Sequence, residues 1–370
     1  METFRVLMAI NNPYPPQFIG GAEFSAHNIA LNLQRNGHEV AVLGGMKPHD
    51  RIWFRHGLQK YILRRKIGVD RVMGYPVYRA WRPANELEHF IERYKPDVLI
   101  IAGGSGVSMP AFSNLRLTCP TIITVPDVEF SRNSEHILRF KNAAFVGNSN
   151  FTAKRIRETV GIDAFVLRPL VNPDSCRVEK PGGKVVMVNP TAVKGLPIAL
   201  ELAKSRPDIP FLFQESWGYR DQSREELVRK IASLRNVELR PPTSNPRMFF
   251  REARIMLVPS MWDEAWCRVV TEAHVSGIPV LGSNAGALPE SIGPGGLLVD
   301  RNASLDEWRD ALSRIWDDSV VWQTLSTAAL QYSMRDEVVA SSQIKSLEEF
   351  IEKVVNSRPI TDSRGDRQDR

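Results

Sequence analysis

Short apolar runs alternate along this chain with longer segments whose apolar positions recur at helical spacing. FRVLMAI reads as a strand with both faces covered. AEFSAHNIALNLQRNG follows as a helix, with the apolar positions Phe24, Ile29, Leu31 and Leu33 and a stop at Gly37. HEVAVLGG, PVYRAW, DVLIIAGG, PTIITV and AAFVGN give further strands, and helical patterns such as ANELEHFIERYK and NFTAKRIRETVG separate most of them. The rhythm breaks at LRPLVNPDSCRVEKPGGK, which holds three prolines and two adjacent glycines without apolar periodicity. It then restarts with the strands KVVMVNP, IPFLFQES, ARIMLVPS and IPVLGSN, and the helices KGLPIALELAKS, REELVRKIASL and RVVTEAHVSG between them. LDEWRDALSRIWDD and SSQIKSLEEFIEKVV close the chain as helices.

Alternating strands and helices indicate βαβ units and parallel sheets. The expected fold is α/β, with two Rossmann-like, doubly wound domains facing across a cleft. The first covers 1–168, a linker 169–183, and the second 184–334. A closing helix covers 335–356, and the polar, charged residues 357–370 read as a disordered tail. Open parallel sheets bind ligands beyond the carboxyl ends of their strands, so chemistry is expected in the loops that follow strands.

Composition changes this picture little. At 370 residues, 43% hydrophobic and 24% charged, the chain is an ordinary two-domain globular protein. Its longest apolar runs are far too short to span a bilayer. METFRVLMAI runs straight into a strand and reads as no signal peptide. Cys119, Cys176 and Cys267 are odd in number and scattered, which suggests neither a disulfide framework nor a metal motif and fits a reducing, cytoplasmic setting.

Charge is uneven. Residues 1–170 carry 22 Lys and Arg against 14 Asp and Glu, a net of +8, within an overall net charge of +6. The densest stretch, RIWFRHGLQKYILRRKIG at 51–68, interleaves Arg and Lys with Trp53, Phe54, Tyr61, Ile62 and Leu63. Such a segment suits an anionic membrane surface or a phosphorylated acceptor, and equally a solvated helix face beside a core stripe. No nucleic-acid-binding motif accompanies the charge.

The loops carry the candidate chemistry. NNPYPPQFIGGAEFSAH ends in Gly20 and Gly21 just before a helix, where backbone can approach an anion or simply turn. It is not the GxGxxG fingerprint, which argues against a nicotinamide cofactor, and IAGGSG at 101–106 is likewise incomplete. VNPTAVKGLPIALELA places Lys194 and Gly195 at a helix start, where an ammonium suits a phosphate; a plain surface lysine is the simpler reading of that feature alone. In VPSMWDEAWCRVVTEAHVSG, Glu264 falls in a loop and Glu272 on the following helix. A carboxylate accepts two hydrogen bonds side by side, which suits a vicinal diol, each such bond contributing roughly 1.5–3 kcal/mol. Two carboxylates at one crevice can hold two sugar rings, a ribose and a hexose. Gly286 and Ala287, in GSNAGALPESIG, precede another anion-friendly helical turn.

Together, GGAE, the KG pair, the E-x7-E segment EAWCRVVTE and AGALPE resemble the GT-B glycosyltransferases of family 4, over about residues 4–300. The resemblance implies retaining transfer of a hexose from a nucleoside-diphosphate sugar to a saccharide or lipid-linked acceptor, with no metal and no other cofactor. Donor would sit on the second domain and acceptor on the first. By match, Lys194 would stabilise the leaving diphosphate and Glu264 would bind hydroxyls of the transferred sugar, as the catalytic pair. Glu272 would bind the ribose, and Gly286 would join the donor site. Gly20 and Gly21 would approach the phosphates or acceptor, Asp127 would lie on the acceptor side, and the helix 335–356 would cross back to the first domain. Surface polysaccharide or glycoconjugate assembly, at the cytoplasmic membrane face, is the setting this implies.

Two departures stand out. Asn189 occupies the place of an Arg that the family often has, leaving Arg268 as a candidate source of that charge. Pro126, before Asp127, replaces a frequent His. A front-face retaining reaction tolerates the second loss, because the leaving phosphate can take the acceptor's proton. The departures keep open a catalytically silent sugar-nucleotide-binding protein. A nucleotide-sugar epimerase of the same architecture is the other alternative, although those lack the combined KG and E-x7-E set. The nucleotide base, the sugar and the acceptor are not written in the sequence.

Overall fold

The computed structural model describes residues 2–18, 20–63, 67–103, 108–128, 134–140, 142–216 and 221–357. The chain forms two compact units: Met1–Thr124 with Glu135–Val146 and Ile344–Arg370, and Val125–Ser134 with Gly147–Gln343. The expected tail 357–370 lies outside the described residues apart from Ser357.

The first sheet has eight strands: β1 Arg5–Pro13, β2 Glu39–Gly45, β3 Gly68–Asp70, β4 Val77–Ala80, β5 Val98–Ala102, β6 Thr121–Val125, β7 Ala144–Gly147 and β8 Ala164–Val166. Their order is β3-β4-β2-β1-β5-β6-β7-β8, with β3 antiparallel to β4 at the edge. The central strands are apolar runs buried on both faces, as in Val6–Ile10 and Val98–Ala102. The helix Gly21–Arg35 follows β1 and ends before Gly37, whose φ of +95° suits glycine at a helix stop.

The second sheet has six strands: β9 Lys184–Val188, β10 Phe211–Gln214, β11 Val237–Arg240, β12 Ala253–Val258, β13 Val280–Ser283 and β14 Gly296–Val299. Their order is β11-β10-β9-β12-β13-β14, and the neighbouring strands pair in parallel. Strand order reverses between β9 and β12. In doubly wound sheets that switch point is where ligands bind.

Four segments differ from the expected organisation. Residues 169–183, expected as a linker, belong to the second unit. Val171 and Cys176 are buried in its core beside Val186, Phe250, Met256 and Val270, and Asn172 caps a short helix, Pro173–Cys176. Residues 125–134 and 147–168, expected in the first domain, also fall in the second unit. Ser319–Ser333 forms a helix that the sequence pattern did not indicate. Its start, SVVW, is β-branched and uncharged, which favours strand intrinsically. Capping by the Asp318 carboxylate and a hydrogen bond from Trp322 Nε1 to Arg254 O decide it.

The helix Ala340–Asn356 places Glu348 within the first unit. There the Glu348 Oε1 accepts from Asn36 Nδ2 (2.7 Å) and His38 Nε2 (3.1 Å). Phe4 N donates to His38 Nδ1 (3.1 Å), which fixes the ring as the tautomer that donates from Nε2. Glu348→Ala removes a buried acceptor from two donors, so unfolding free energy should fall by about 2–4 kcal/mol, while Glu348→Gln, which keeps an acceptor, should cost less. Urea denaturation measures this, and equal midpoints for wild type and Glu348→Ala would contradict it.

Candidate active site

The switch point of the second sheet gathers most of the candidate residues. β9 ends at Val188, and its loop runs from Asn189 to the 3-10 turn Ala192–Lys194. Lys194 therefore precedes the helix, which begins at Leu196, instead of standing on its first turn. Gly195 between them has φ +85°, and a Cβ there would lie 1.9 Å from Pro259 O. The lysine turn can seat against the β12 loop only through glycine.

The loop after β12 carries the partner. Lys194 Nζ donates to Glu264 Oε1 at 2.6 Å, and Ser260 Oγ donates to the same oxygen at 2.6 Å. Both bonds fall on Oε1, and Oε2 has no protein partner among the described residues. Lys194 Nζ also lies 5.1 Å from the centroid of the exposed Trp262 ring. Ser260 is itself held, since Ser283 Oγ donates to its carbonyl at 2.7 Å. Gly286 completes the support. Glu264 forms a parallel bridge with it, Ala287 N donates to Glu264 O (2.7 Å), and a Cβ on Gly286 (φ +61°) would sit 2.4 Å from that oxygen.

Arg268 and Glu272 stand one turn apart on the helix Arg268–His274, with Arg268 Nη2 donating to Glu272 Oε1 at 3.0 Å. Burial pushes the Glu272 carboxyl upward in pKa, and Arg268 only partly offsets it. Cys267, at the N-cap of this helix, feels Glu264, Lys194 and Glu272; burial pushes its thiol up to about 12 and keeps it neutral. Asn189 is buried, with a left-handed φ of +57°.

The loop has a rigid back. Trp266 is buried and donates from Nε1 to Thr271 Oγ1 (3.2 Å), with the guanidinium carbons of Arg168 and Arg335 at 5.5 and 5.9 Å from its ring. Thr152 Oγ1 donates to Ala265 O (3.3 Å). Glu290, from the AGALPE segment, accepts from Asn150 N (3.0 Å), Phe151 N (3.4 Å) and Arg168 Nη2 (2.6 Å). It thus caps the helix Asn150–Val160. Ser260, Trp262 and this Trp266 cluster are roles the sequence reading missed. Ser260 and Trp262 sat inside the quoted stretch, but only the fold shows them meeting Glu264 and Lys194.

The remaining candidates stand on other elements. Gly20 and Gly21 belong to the first unit. A Cβ on Gly20 would lie 2.4 Å from Glu23 Oε2, so that glycine makes room for a buried carboxylate which also accepts from Asn12 Nδ2 (2.8 Å). Gly21 faces open space. Asp127 is half-buried in the segment following β6, and Asn148 Nδ2 donates to Pro126 O (3.2 Å). Residues 104–107 of the IAGGSG loop lie outside the described residues. Among the described residues no group of three His, Cys, Asp or Glu side chains is placed to hold a metal ion.

Comparison with known proteins bears on what this site is. The model of the Glycosyltransferase Family 4 domain matches residues 19–175, and that of Glycosyl transferases group 1 matches 213–318. Sucrose-phosphate synthase from Thermosynechococcus elongatus superposes with a TM-score of 0.76 at 14% identity, over 96% of this chain and all of that one. The chain belongs to the GT-B glycosyltransferases of the family 4 type. Anabaena HepE, solved in complex with UDP-glucose, shares the glycosyltransferase fold at TM-score 0.73 and 15% identity, over 94% of this chain and 100% of that one. In sequence, the glycosyltransferase is 30% identical over 161 residues to the D-inositol 3-phosphate glycosyltransferase of Paenarthrobacter aurescens, covering 40% of this chain and 37% of that protein. It is 38% identical over 102 residues to the Corynebacterium glutamicum enzyme of the same description, covering 27% and 23%. These alignments thus span well under half the length of those relatives.

The raised Glu272 pKa has a consequence for stability. The folded state holds that proton more tightly than the unfolded state, so ionised Glu272 costs stability at neutral pH. Its favourable contribution exists only below the ordinary carboxylate value and is lost as pH rises through the raised one. Glu272→Gln should therefore melt higher than wild type at pH 7, and the gap should close toward about pH 4. Thermal melts across that range test this; a lower melting temperature for Glu272→Gln at pH 7 would contradict it.

Proposed function

We propose that this glycosyltransferase moves a hexose from a nucleoside-diphosphate sugar to a saccharide or lipid-linked acceptor, with retention and without a metal. The observation that carries this is the Lys194–Glu264 contact at the switch point, with Glu272 eight positions on. A lysine ammonium has three donors, and Glu264 takes one, leaving two for a diphosphate. Among the described residues Glu264 Oε2 and the second oxygen of Glu272 take no protein hydrogen bond, and they suit sugar hydroxyls, Glu264 those of the transferred sugar and Glu272 those of the ribose. Gly286 serves the donor site through Glu264, and Arg268 through Glu272. Gly20 and Gly21 are assigned to the donor phosphates or the acceptor, and Asp127 to the acceptor side. In the transfer, the bond from the anomeric carbon to the phosphate oxygen breaks while the acceptor oxygen bonds on the same face. The acceptor's proton passes to the leaving phosphate. The solved neighbours support a nucleotide-sugar donor, since HepE was crystallised with UDP and with UDP-glucose.

Glu272→Ala should weaken binding of the free nucleoside diphosphate by about tenfold or more, whereas Glu264→Ala should spare that binding and depress transfer. Calorimetry with UDP and GDP, and diphosphate release from a sugar-nucleotide panel in EDTA, measure the two effects. Equal nucleotide affinity in wild type and Glu272→Ala would sink the ribose assignment. Tight binding with no release under any acceptor would favour a silent binding protein, and release that vanishes in EDTA would overturn metal independence.

The lipid-linked acceptor would be met at a membrane face. No helix among the described residues is long and apolar enough to cross a membrane. The helix Arg51–Leu63, however, exposes Phe54, Leu58 and Ile62 at 71%, 53% and 63%, one stripe at i, i+4 and i+8. Exposed Arg51 and Arg55 flank it, and with His49, Asp50, Phe54 and Leu58 they line an open depression of about 560 Å³. Residues 64–66 of the basic stretch lie outside the described residues. This face suits the surface of an anionic bilayer. Phe54→Ser with Leu58→Ser should cut co-sedimentation with phosphatidylglycerol vesicles at least about tenfold. Wild type that ignores those vesicles, or binds phosphatidylcholine equally, would remove the membrane contact.

A further inference from the structure

The loop between β9 and Lys194 contains two polar side chains that the fold buries and leaves unpaired. Several of its backbone groups are paired within the chain. Asn189 N donates to Gln214 O (2.8 Å), Thr191 N to Asn189 O (2.7 Å), and Thr191 O accepts from Lys194 N and Leu196 N (3.0 Å each). The side chains take no part in this. Asn189 Oδ1 and Thr191 Oγ1 are both buried and have no hydrogen-bond partner among the described residues, and Asn189 as a residue is only 8% exposed. An asparagine in the left-handed region usually steadies itself by a local side-chain bond, and this one makes none through Oδ1. Buried polar atoms in folded proteins are nearly always satisfied, so two orphans within three residues make this loop a candidate for hydrogen bonds to a ligand.

Their place identifies its chemistry. Both sit at the carboxyl end of β9, on the loop that ends in the Lys194 ammonium. A half-turn of the Asn189 amide exchanges its oxygen for an NH2 group, and the Thr191 hydroxyl can donate by rotation. The loop then offers neutral donors beside one ammonium, a set that fits anionic oxygens. We infer that Asn189 and Thr191 bind the diphosphate of the donor together with Lys194, neutral hydrogen bonds standing where the family resemblance leads one to expect an arginine. The inference rests on the donor reading above and adds Thr191 to the site. Because these donors are uncharged, they hold the diphosphate through geometry, and only Lys194 contributes a cation to the salt dependence on this loop.

The test compares a nucleoside diphosphate with its parent nucleoside, using UDP with uridine and GDP with guanosine. Asn189→Gly keeps the left-handed backbone and removes the amide; Thr191→Val keeps the shape and removes the hydroxyl. Each should weaken the diphosphate about tenfold, leave the nucleoside unchanged, and leave the melting temperature of the ligand-free protein equal or higher, since an orphan has been removed. Variants that bind the diphosphate as tightly as wild type would overturn this inference alone. Wild type that binds neither diphosphate would overturn the donor reading and this inference with it. A fall in ligand-free melting temperature with unchanged diphosphate affinity would assign both groups to the fold instead.

Discussion

The parallel pairing of β9 with β12 is the constraint on which this site depends. β10 and β11 wind away from β9 on one side, and β13 and β14 away from β12 on the other. The loops leaving the two central strands therefore emerge side by side with no helix packed between them. Lys194 and Glu264, 70 positions apart in sequence, meet at 2.6 Å for that reason. Two glycines make the approach close enough. Gly195 lets the lysine turn rest on Pro259 O, and Gly286 lets the next loop rest on Glu264. A side chain at either position would press on the backbone that aims an ion-pair partner.

Three glutamates in this region show how saturation separates scaffold from site. Glu290 receives two backbone donors and an arginine, so its capacity is used within the chain and it holds Asn150–Val160 in place. Glu264 and Glu272 each concentrate their protein contacts on one oxygen. Glu272 is moreover held where burial opposes its charge. A group whose surroundings disfavour its working state is a poor stabiliser and a good candidate for function. The Trp266 cluster supplies the stiffness that such a group requires, since two guanidinium groups and the Thr271 hydroxyl fix the ring next to the Glu264 loop.

Much of this was legible in the sequence, in proportion to burial. The central strands β1, β2, β5, β9, β12 and β13 are continuous apolar runs, and each stood out. The missed strands β3, β8, β11 and β14 are only three or four residues long, too short for a run to mark them, and β8, β11 and most of β14 are moreover half-buried or exposed. Glu264 in a loop and Glu272 on a helix followed from strand–loop–helix order. Ser260, Trp262 and Thr191 did not, because serine, threonine and tryptophan carry no spacing signal; only tertiary contact, or its absence at a buried atom, gives them meaning. Residues 169–183 misled for the opposite reason. Prolines and glycines read as a linker, but Val171 and Cys176 among them are buried, and a short capped helix carries them into the core.

An asparagine at 189, where the resembled family often has an arginine, need not weaken the donor site, on physical grounds. A buried guanidinium beside Lys194 would carry a desolvation cost and a like-charge repulsion that only a bound diphosphate offsets. Neutral donors avoid the repulsion and carry a smaller desolvation cost. What they still cost, as orphans in the empty loop, an apolar replacement would recover at once. The chain instead retains Asn189 in a left-handed conformation, Thr191 beside it, and a carboxylate at Glu272 against the preference of its surroundings. Each is unfavourable for folding alone, and each becomes favourable when one ligand supplies acceptors to the first two and hydroxyls to the third. A nucleoside diphosphate carries both kinds of group in one molecule.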